Sequence, residues 1–305
     1  MTTPTPDGLA RSIKQRLMNL SKQRGEVFNI VLMRFAAERL LYRLSRSPHC
    51  QQFVLKGAML FAIWADKPHR PTQDVDLLGF GSPEADRLVG IFRDVCEISV
   101  EPDGLVFDAS SVAAEAVRED AVYDGLRIRL LARLGTARIP LQIDVGFGDV
   151  ITPEARELVL GPMLELPPAQ IRTYPPETVI AEKFDAIVTL GMANSRMKDY
   201  FDLWTMSRTM SFEYLMLRKA VLATAERRKT QVPDTLPVGL SDQFGADASK
   251  QAQWSAFIRK LGEDQAAPPL PDLIRRLAAF LLPLIQASTT TLKQWPPGGP
   301  WRATT

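Results

Sequence analysis

Gln52-Phe53-Val54-Leu55-Lys56-Gly57-Ala58 and Asp74-Val75-Asp76-Leu77-Leu78-Gly79-Phe80 are the stretches on which the fold turns. Gln52–Leu55 reads as a buried strand that stops at Lys56-Gly57, with a helix expected over Ala58–Trp64. Asp66–Gln73 reads as a Pro-containing loop, and Asp74–Phe80 as a second strand that ends at Gly81. A strand's period of two puts Asp74 and Asp76 on one face, with Val75 and Leu77 on the other. Adjacent carboxylates repel, and a hard cation such as Mg²⁺, which takes carboxylate and phosphate oxygens, removes that repulsion. For an isolated Asp-x-Asp the plainer reading is a solvated strand edge. A third carboxylate, Asp144, lies in Leu141-Gln142-Ile143-Asp144-Val145, a strand apolar enough to be central. Alone it would carry a large desolvation cost, and a shared metal would supply its partner. Lys56-Gly57-Ala58 sits where a small residue lets a ligand approach the backbone and a helix start offers N–H groups to an anion. Taken singly, a glycine there needs no more explanation than a turn. The order of glycine turn, helix, Asp-x-Asp strand and separate Asp strand is more specific, and describes a metal-dependent nucleotidyl-transfer site.

Outward from this centre, Leu9–Leu20 and Phe28–Leu44 carry apolar residues at helical spacing, with arginines between them, and read as two helices with basic outer faces. Ser82 and Pro83 look like the cap and first residue of a helix over Glu84–Cys96. Tyr123–Ala132 alternates Leu126, Ile128 and Leu130 with Arg127 and Arg129, and Pro140–Phe147 pairs with it across Gly135. These elements make an α+β chain, a mixed sheet with flanking helices. Past Asp149, prolines punctuate a segment with little strand pattern, so a junction is expected there, with a sheet domain over 1–152 and a mainly helical domain over 153–305. Helices are expected at Glu177–Leu190, from Asn194 or Ser195 to Arg208, and at Phe212–Arg228, Gln251–Leu261 and Pro271–Ile285. Trp295-Pro296-Pro297-Gly298-Gly299-Pro300-Trp301 is not expected to fold independently.

In the helical half, Lys183 sits among Ile180, Phe184 and Ile187, and Arg196, Lys198, Asp199 and Asp202 mark the next helix. Asp199 and Asp202 are spaced to share a face. Each residue singly fits a snorkelling lysine or surface charge. Together they form a charge cluster that a polyphosphate would explain, with Asp199 orienting a lysine or serving as a base.

These motifs resemble the AbiEii/AbiGii-type nucleotidyltransferase toxins of the wider polymerase-beta-like nucleotidyltransferase superfamily. The likeness is collinear over Phe53–Leu203. It rests on Leu55-Lys56-Gly57, on Arg70-Pro71-Thr72-Gln73-Asp74-Val75-Asp76-Leu77, on Gln142-Ile143-Asp144-Val145-Gly146-Phe147-Gly148-Asp149, and on Glu182-Lys183-Phe184 followed by Arg196-Met197-Lys198-Asp199-Tyr200-Phe201-Asp202-Leu203. The resemblance implies a nucleotidyltransferase-like fold and transfer of a nucleotide from an NTP, with Mg²⁺ or Mn²⁺, onto an RNA acceptor such as the tRNA 3′ end. It also implies an abortive-infection role against phage and a cognate antitoxin partner. By it, Asp74, Asp76 and Asp144 bind metal, Lys56, Gly57, Ala58, Arg196 and Lys198 border the nucleotide, and Lys183 and Asp199 complete the catalytic set. The turn departs from the superfamily in having Gly57-Ala58-Met59, with no hydroxyl.

The 305 residues are 46% apolar and 24% charged, which fits a globular chain, and the formal charge of +2 excludes histone-like and strongly acidic classes. Charge is uneven: residues 1–50 hold nine Lys/Arg against three acids, a basic end that either contacts an RNA backbone or simply solvates two amphipathic helices. Two cysteines and two histidines are too few for a disulfide framework or a His-rich metal site. No apolar run approaches bilayer length and no signal peptide is evident, so a cytoplasmic protein without a membrane partner is expected. A metal-dependent nuclease or phosphotransferase, and a degenerate nucleotide- or RNA-binding module, are the competing readings.

Overall fold

A computed structural model describes residues 6–64, 72, 74–119, 123–261, 267–286 and 291–303. Two compact units result: residues 1–148 with 156–173, and residues 149–155 with 174–305. The loop expected over Asp66–Gln73 lies, apart from Thr72, outside the described residues, as do Arg70, Pro71 and Gln73 of the motif before Asp74.

The first unit opens with helices α1 (Pro6–Arg24) and α2 (Phe28–Arg46), then β1 (Phe53–Lys56), α3 (Phe61–Trp64), β2 (Val75–Gly79) and α4 (Ala85–Glu97). Strands β3 (Leu105–Glu119), β4 (Tyr123–Leu134), β5 (Ala137–Phe147), β6 (Arg156–Leu160) and β7 (Ala169–Thr173) complete it. Among the described residues these form one mixed sheet in the order β3-β4-β5-β2-β1-β7-β6, with β2 parallel to β5 and β1 parallel to β7. The α+β architecture expected from the sequence is the one observed. Central β5 alternates buried Ile139, Leu141, Ile143 and Val145 with Gln142 and Asp144. One sheet face is therefore apolar, and α2 and α4 pack on the sheet.

Several elements differ from the sequence reading. The helix expected over Ala58–Trp64 is a tight turn over Gly57–Leu60 followed by a single helical turn. Ser82 does not cap α4. Glu84 takes that place without a side-chain cap, and the Ser82 hydroxyl donates to the Glu84 carboxylate at 2.8 Å. Strands β3, β6 and β7 are additional to the elements expected from the sequence. The basic outer face expected of α2 is also corrected, because Arg39 and Arg43 point inward. Both reach the buried Asp103 carboxylate, Arg39 through Nε at 3.1 Å and Arg43 through Nη1 at 2.7 Å. Two guanidiniums around one carboxylate hold Asp103 below the usual carboxylate range against the opposing effect of burial. Arg34 is engaged by Glu26 at 3.0 Å. Exposed Lys22 and Arg24 at the end of α1 remain on the surface.

The second unit is mainly helical: α5 (Pro176–Leu190), α6 (Met197–Thr209), α7 (Tyr214–Arg228), α8 (Asp242–Ala246), α9 (Ala248–Leu261) and α10 (Leu270–Ile285). Short strands β8 (Phe212–Glu213), β9 (Leu292–Trp295) and β10 (Arg302–Ala303) form a small antiparallel sheet. The proline-rich tail is held on α10. The Phe280 ring meets Trp295 at 4.6 Å and Trp301 at 5.9 Å, and the Trp301 indole N–H donates to the Phe280 carbonyl. No helix among the described residues is long and apolar enough to cross a membrane.

Glu38 of α2 is almost fully buried and accepts the Met163 N–H at 2.7 Å. Burial pushes its carboxyl up to about 7, against the pull of that N–H and of Arg39 and Arg34. A folded-state value above the unfolded one means that the stability contribution is complete below about 4.5 and is lost as pH rises through about 7. Glu38→Gln keeps an acceptor for Met163 and has no charge to bury. At pH 8 it should exceed wild type in unfolding free energy by up to about 3 kcal/mol, with the advantage shrinking towards pH 5. Urea titrations across that range read the difference, and parallel profiles for the two proteins would contradict it.

Candidate active site

Register brings the carboxylates together. Antiparallel pairing of β1 and β2 sets Lys56 opposite Asp76, parallel pairing of β2 and β5 sets Asp76 opposite Asp144, and antiparallel pairing of β4 and β5 sets Arg127 opposite Asp144. Residues opposite one another in a ladder share a face, so Lys56, Asp76, Asp144 and Arg127 form one row across four strands, on the side away from Ile143 and Val145. Two negative residues are flanked by a positive one at each end.

Gly57 fixes the near end of this row. Its φ is +72°, and a Cβ on it would overlap the Asp76 carboxylate. Glycine is required both by the left-handed backbone and by the space that Asp76 occupies. Ala58 and Met59 behind it are buried, so the turn presents backbone rather than a hydroxyl.

At the far end, Arg127 grips Asp144 with both arms, Nε to Oδ1 at 2.8 Å and Nη2 to Oδ2 at 2.9 Å, and the Gln142 amide donates to Oδ2 at 3.3 Å. The Asp144 bond raises the guanidinium above its ordinary range, and the negative charge of Asp74 adds to it. The partner that Asp144 needs is therefore present in the fold. Sequence reasoning missed Arg127 in this role, although the signal existed. The tight turn at Gly135 fixes the hairpin register, and Arg127 and Asp144 lie equally far from its ends, at Leu134 and Ala137.

Asp74 and Asp76, at the start of β2, supply oxygen donors of the kind Mg²⁺ takes with one or two carboxylates and substrate phosphates. These two residues fit the ion. The two oxygens of Asp144 accept three hydrogen bonds from Arg127 and Gln142. Among the described residues no group of three His, Cys, Asp or Glu side chains is arranged to hold a metal.

The second unit contains Lys183, Arg196, Lys198 and Asp199. Lys183 on α5 lies 2.5 Å from Asp199 Oδ1 and 2.9 Å from Asp202 Oδ2, both on α6 and both buried. Spacing of three along α6 puts the two carboxylates on one face, aimed at the amine. Arg196 is half-buried at the N-cap of α6, and Lys198 is exposed. Neighbouring Arg228 on α7 gathers Asp149 at 3.1 Å, Asp185 at 3.3 Å and Glu182 at 3.5 Å, tying the start of this unit to α5 and α7. Tyr174 beside that cluster is pushed well above its ordinary range by burial, with Glu182 and Asp149 adding to the effect.

The profile of a family described as "Nucleotidyl transferase AbiEii toxin, Type IV TA system" matches residues 39–277. A crystal structure of JHP933 from Helicobacter pylori is similar at 14% identity and a TM-score of 0.45, covering 81% of this chain and 88% of that one. Another H. pylori crystal structure, of a candidate nucleotidyltransferase, is similar at 15% identity and a TM-score of 0.43, covering 81% and 90%. No curated protein matches the chain.

Because Lys183 pairs with two buried carboxylates, its removal takes a positive charge from beside them. Lys183→Ala should lower unfolding free energy by about 3–5 kcal/mol, and adding Asp202→Asn should restore part of the loss. Denaturant titration of the three proteins checks this, and a Lys183→Ala variant as stable as wild type would contradict it.

Proposed function

The chain belongs to the AbiEii nucleotidyl transferase toxin family of type IV toxin–antitoxin systems, and from that membership we propose that it transfers a nucleotide from an NTP, with Mg²⁺ or Mn²⁺, onto the end of an RNA such as the tRNA 3′ terminus. The observation that supports this most is the row of Lys56, Asp76, Asp144 and Arg127 with Gly57 beneath the Asp76 carboxylate. Asp74 and Asp76 would hold the divalent ion. When bound, the ion would supply charge neutralisation to the triphosphate and orient it for in-line attack.

The chain's own groups account for the rest. Gly57 lets the Asp76 carboxylate lie against the turn, and with no hydroxyl there Gly57 and Ala58 would meet phosphate through backbone N–H groups. Lys56 is the cation bordering that turn. In the second unit we assign Lys183 to the catalytic set, with Asp199 and Asp202 holding its head group in place. Asp199 in this reading orients the lysine, and Arg196 and Lys198 add positive charge at the start of the same helix. Exposed Lys22 and Arg24 of α1 are suited to an RNA backbone, whereas Arg39 and Arg43 are consumed inside the fold. A type IV toxin family implies an antitoxin, and the cytoplasm as the place of action follows from the RNA substrate.

Asp76→Asn tests the reading. Incubated with labelled NTP, Mg²⁺ and total cellular RNA, wild type should lengthen an RNA species. The variant should lose at least about a hundredfold in rate, since removing an ion that neutralises developing charge costs roughly 3 kcal/mol or more. Wild-type rates in the variant would contradict the assignment, and RNA shortened rather than labelled would point to a nuclease.

A further inference from the structure

The third carboxylate of the row has its partners within the sheet itself. Arg127 engages both Asp144 oxygens in the bidentate geometry that guanidinium and carboxylate favour, and Gln142 adds a third bond from the same strand. All three groups are fixed by strand register rather than by loops. A divalent ion at Asp144 would compete with Arg127 and Gln142 for the lone pairs of the carboxylate and would stand beside the fixed guanidinium cation. By register Arg127 ends the row that holds Asp76 and Asp144, so a positive charge stands beside the carboxylates.

Resting on the nucleotidyl-transfer reading above, we propose that Asp144 is a positioning residue rather than a metal ligand: it holds Arg127 as a fixed cation in the place of a second metal, and the protein itself supplies one divalent site, at Asp74 and Asp76. Within the row Lys56 and Arg127 offset Asp76 and Asp144, two charges against two, and the single ion would sit at Asp74 and Asp76. It follows that Arg127 and Asp144 form a charge-neutral unit. Removing both together should leave the metal site's net charge unchanged, whereas removing a true ligand should not.

Mn²⁺ binding without nucleotide, followed by electron paramagnetic resonance, separates the two roles. The double variant Arg127→Met/Asp144→Asn should bind Mn²⁺ as wild type does, within about threefold, which is less than 1 kcal/mol. Asp76→Asn should lose most of that affinity. A double variant that loses as much as Asp76→Asn would make Asp144 a ligand and overturn the proposal. Undiminished binding in Asp76→Asn would instead remove the metal from Asp74 and Asp76 and fail the functional reading itself. Should the double variant not fold, wild type alone still decides. Saturation at one Mn²⁺ per chain supports a single protein-borne site, and two Mn²⁺ per chain overturn it.

Discussion

Two carboxylates one strand apart are the constraint around which the first unit is arranged. Parallel register places Asp76 beside Asp144 in the middle of the sheet, and strands lie about 4.8 Å apart. At that spacing two unit charges repel by roughly 3 kcal/mol for an effective dielectric of 20. The fold answers from within the same ladder. Lys56 stands on the outer side of Asp76, and Arg127 closes on Asp144 with paired bonds of 2.8 and 2.9 Å. Gly57 lets the Asp76 carboxylate lie against the turn. The result is a sheet face carrying concentrated charge over an apolar face buried under helices.

The second unit solves a related problem with opposite signs. There a lysine amine stands between two buried carboxylates, and Arg228 is surrounded by Asp149, Glu182 and Asp185. Buried cations of this kind are oriented by their partners, and neither can be deleted cheaply. Lys183 is consequently both a structural element and a positioned amine. Its place among Ile180, Phe184 and Ile187 does not reveal this, because the carboxylates that hold it come from another helix.

Much of the charged row on the sheet was legible in the sequence because strand periodicity is a strong rule. The Asp-x-Asp spacing, the apolar strand around Asp144 and the glycine turn specified the centre of the sheet. What escaped notice lies where local pattern is weak or where partners are distant in sequence. Strand β3 runs through Ala109, Ser110, Ser111, Ala113 and Ala114, residues with little strand preference, and β6 is a short edge strand among prolines. Asp103 lies far along the chain from Arg39 and Arg43, so their inward direction cannot be read from helix periodicity, which assigns arginines to the outer face. Arg127 looked like one of two alternating polar residues until the hairpin register set it against Asp144.

The central claim is that Asp74 and Asp76, beside the Gly57 turn, are where metal and triphosphate meet. Anomalous diffraction from crystals grown with Mn²⁺ and a non-hydrolysable NTP tests it most directly. The account predicts a manganese peak at about 2.0–2.2 Å from oxygens of Asp74 and Asp76, with the triphosphate against Gly57 and the Arg127–Asp144 pair unbroken. A nucleotide bound away from this turn, with no metal at Asp74 and Asp76, would contradict it.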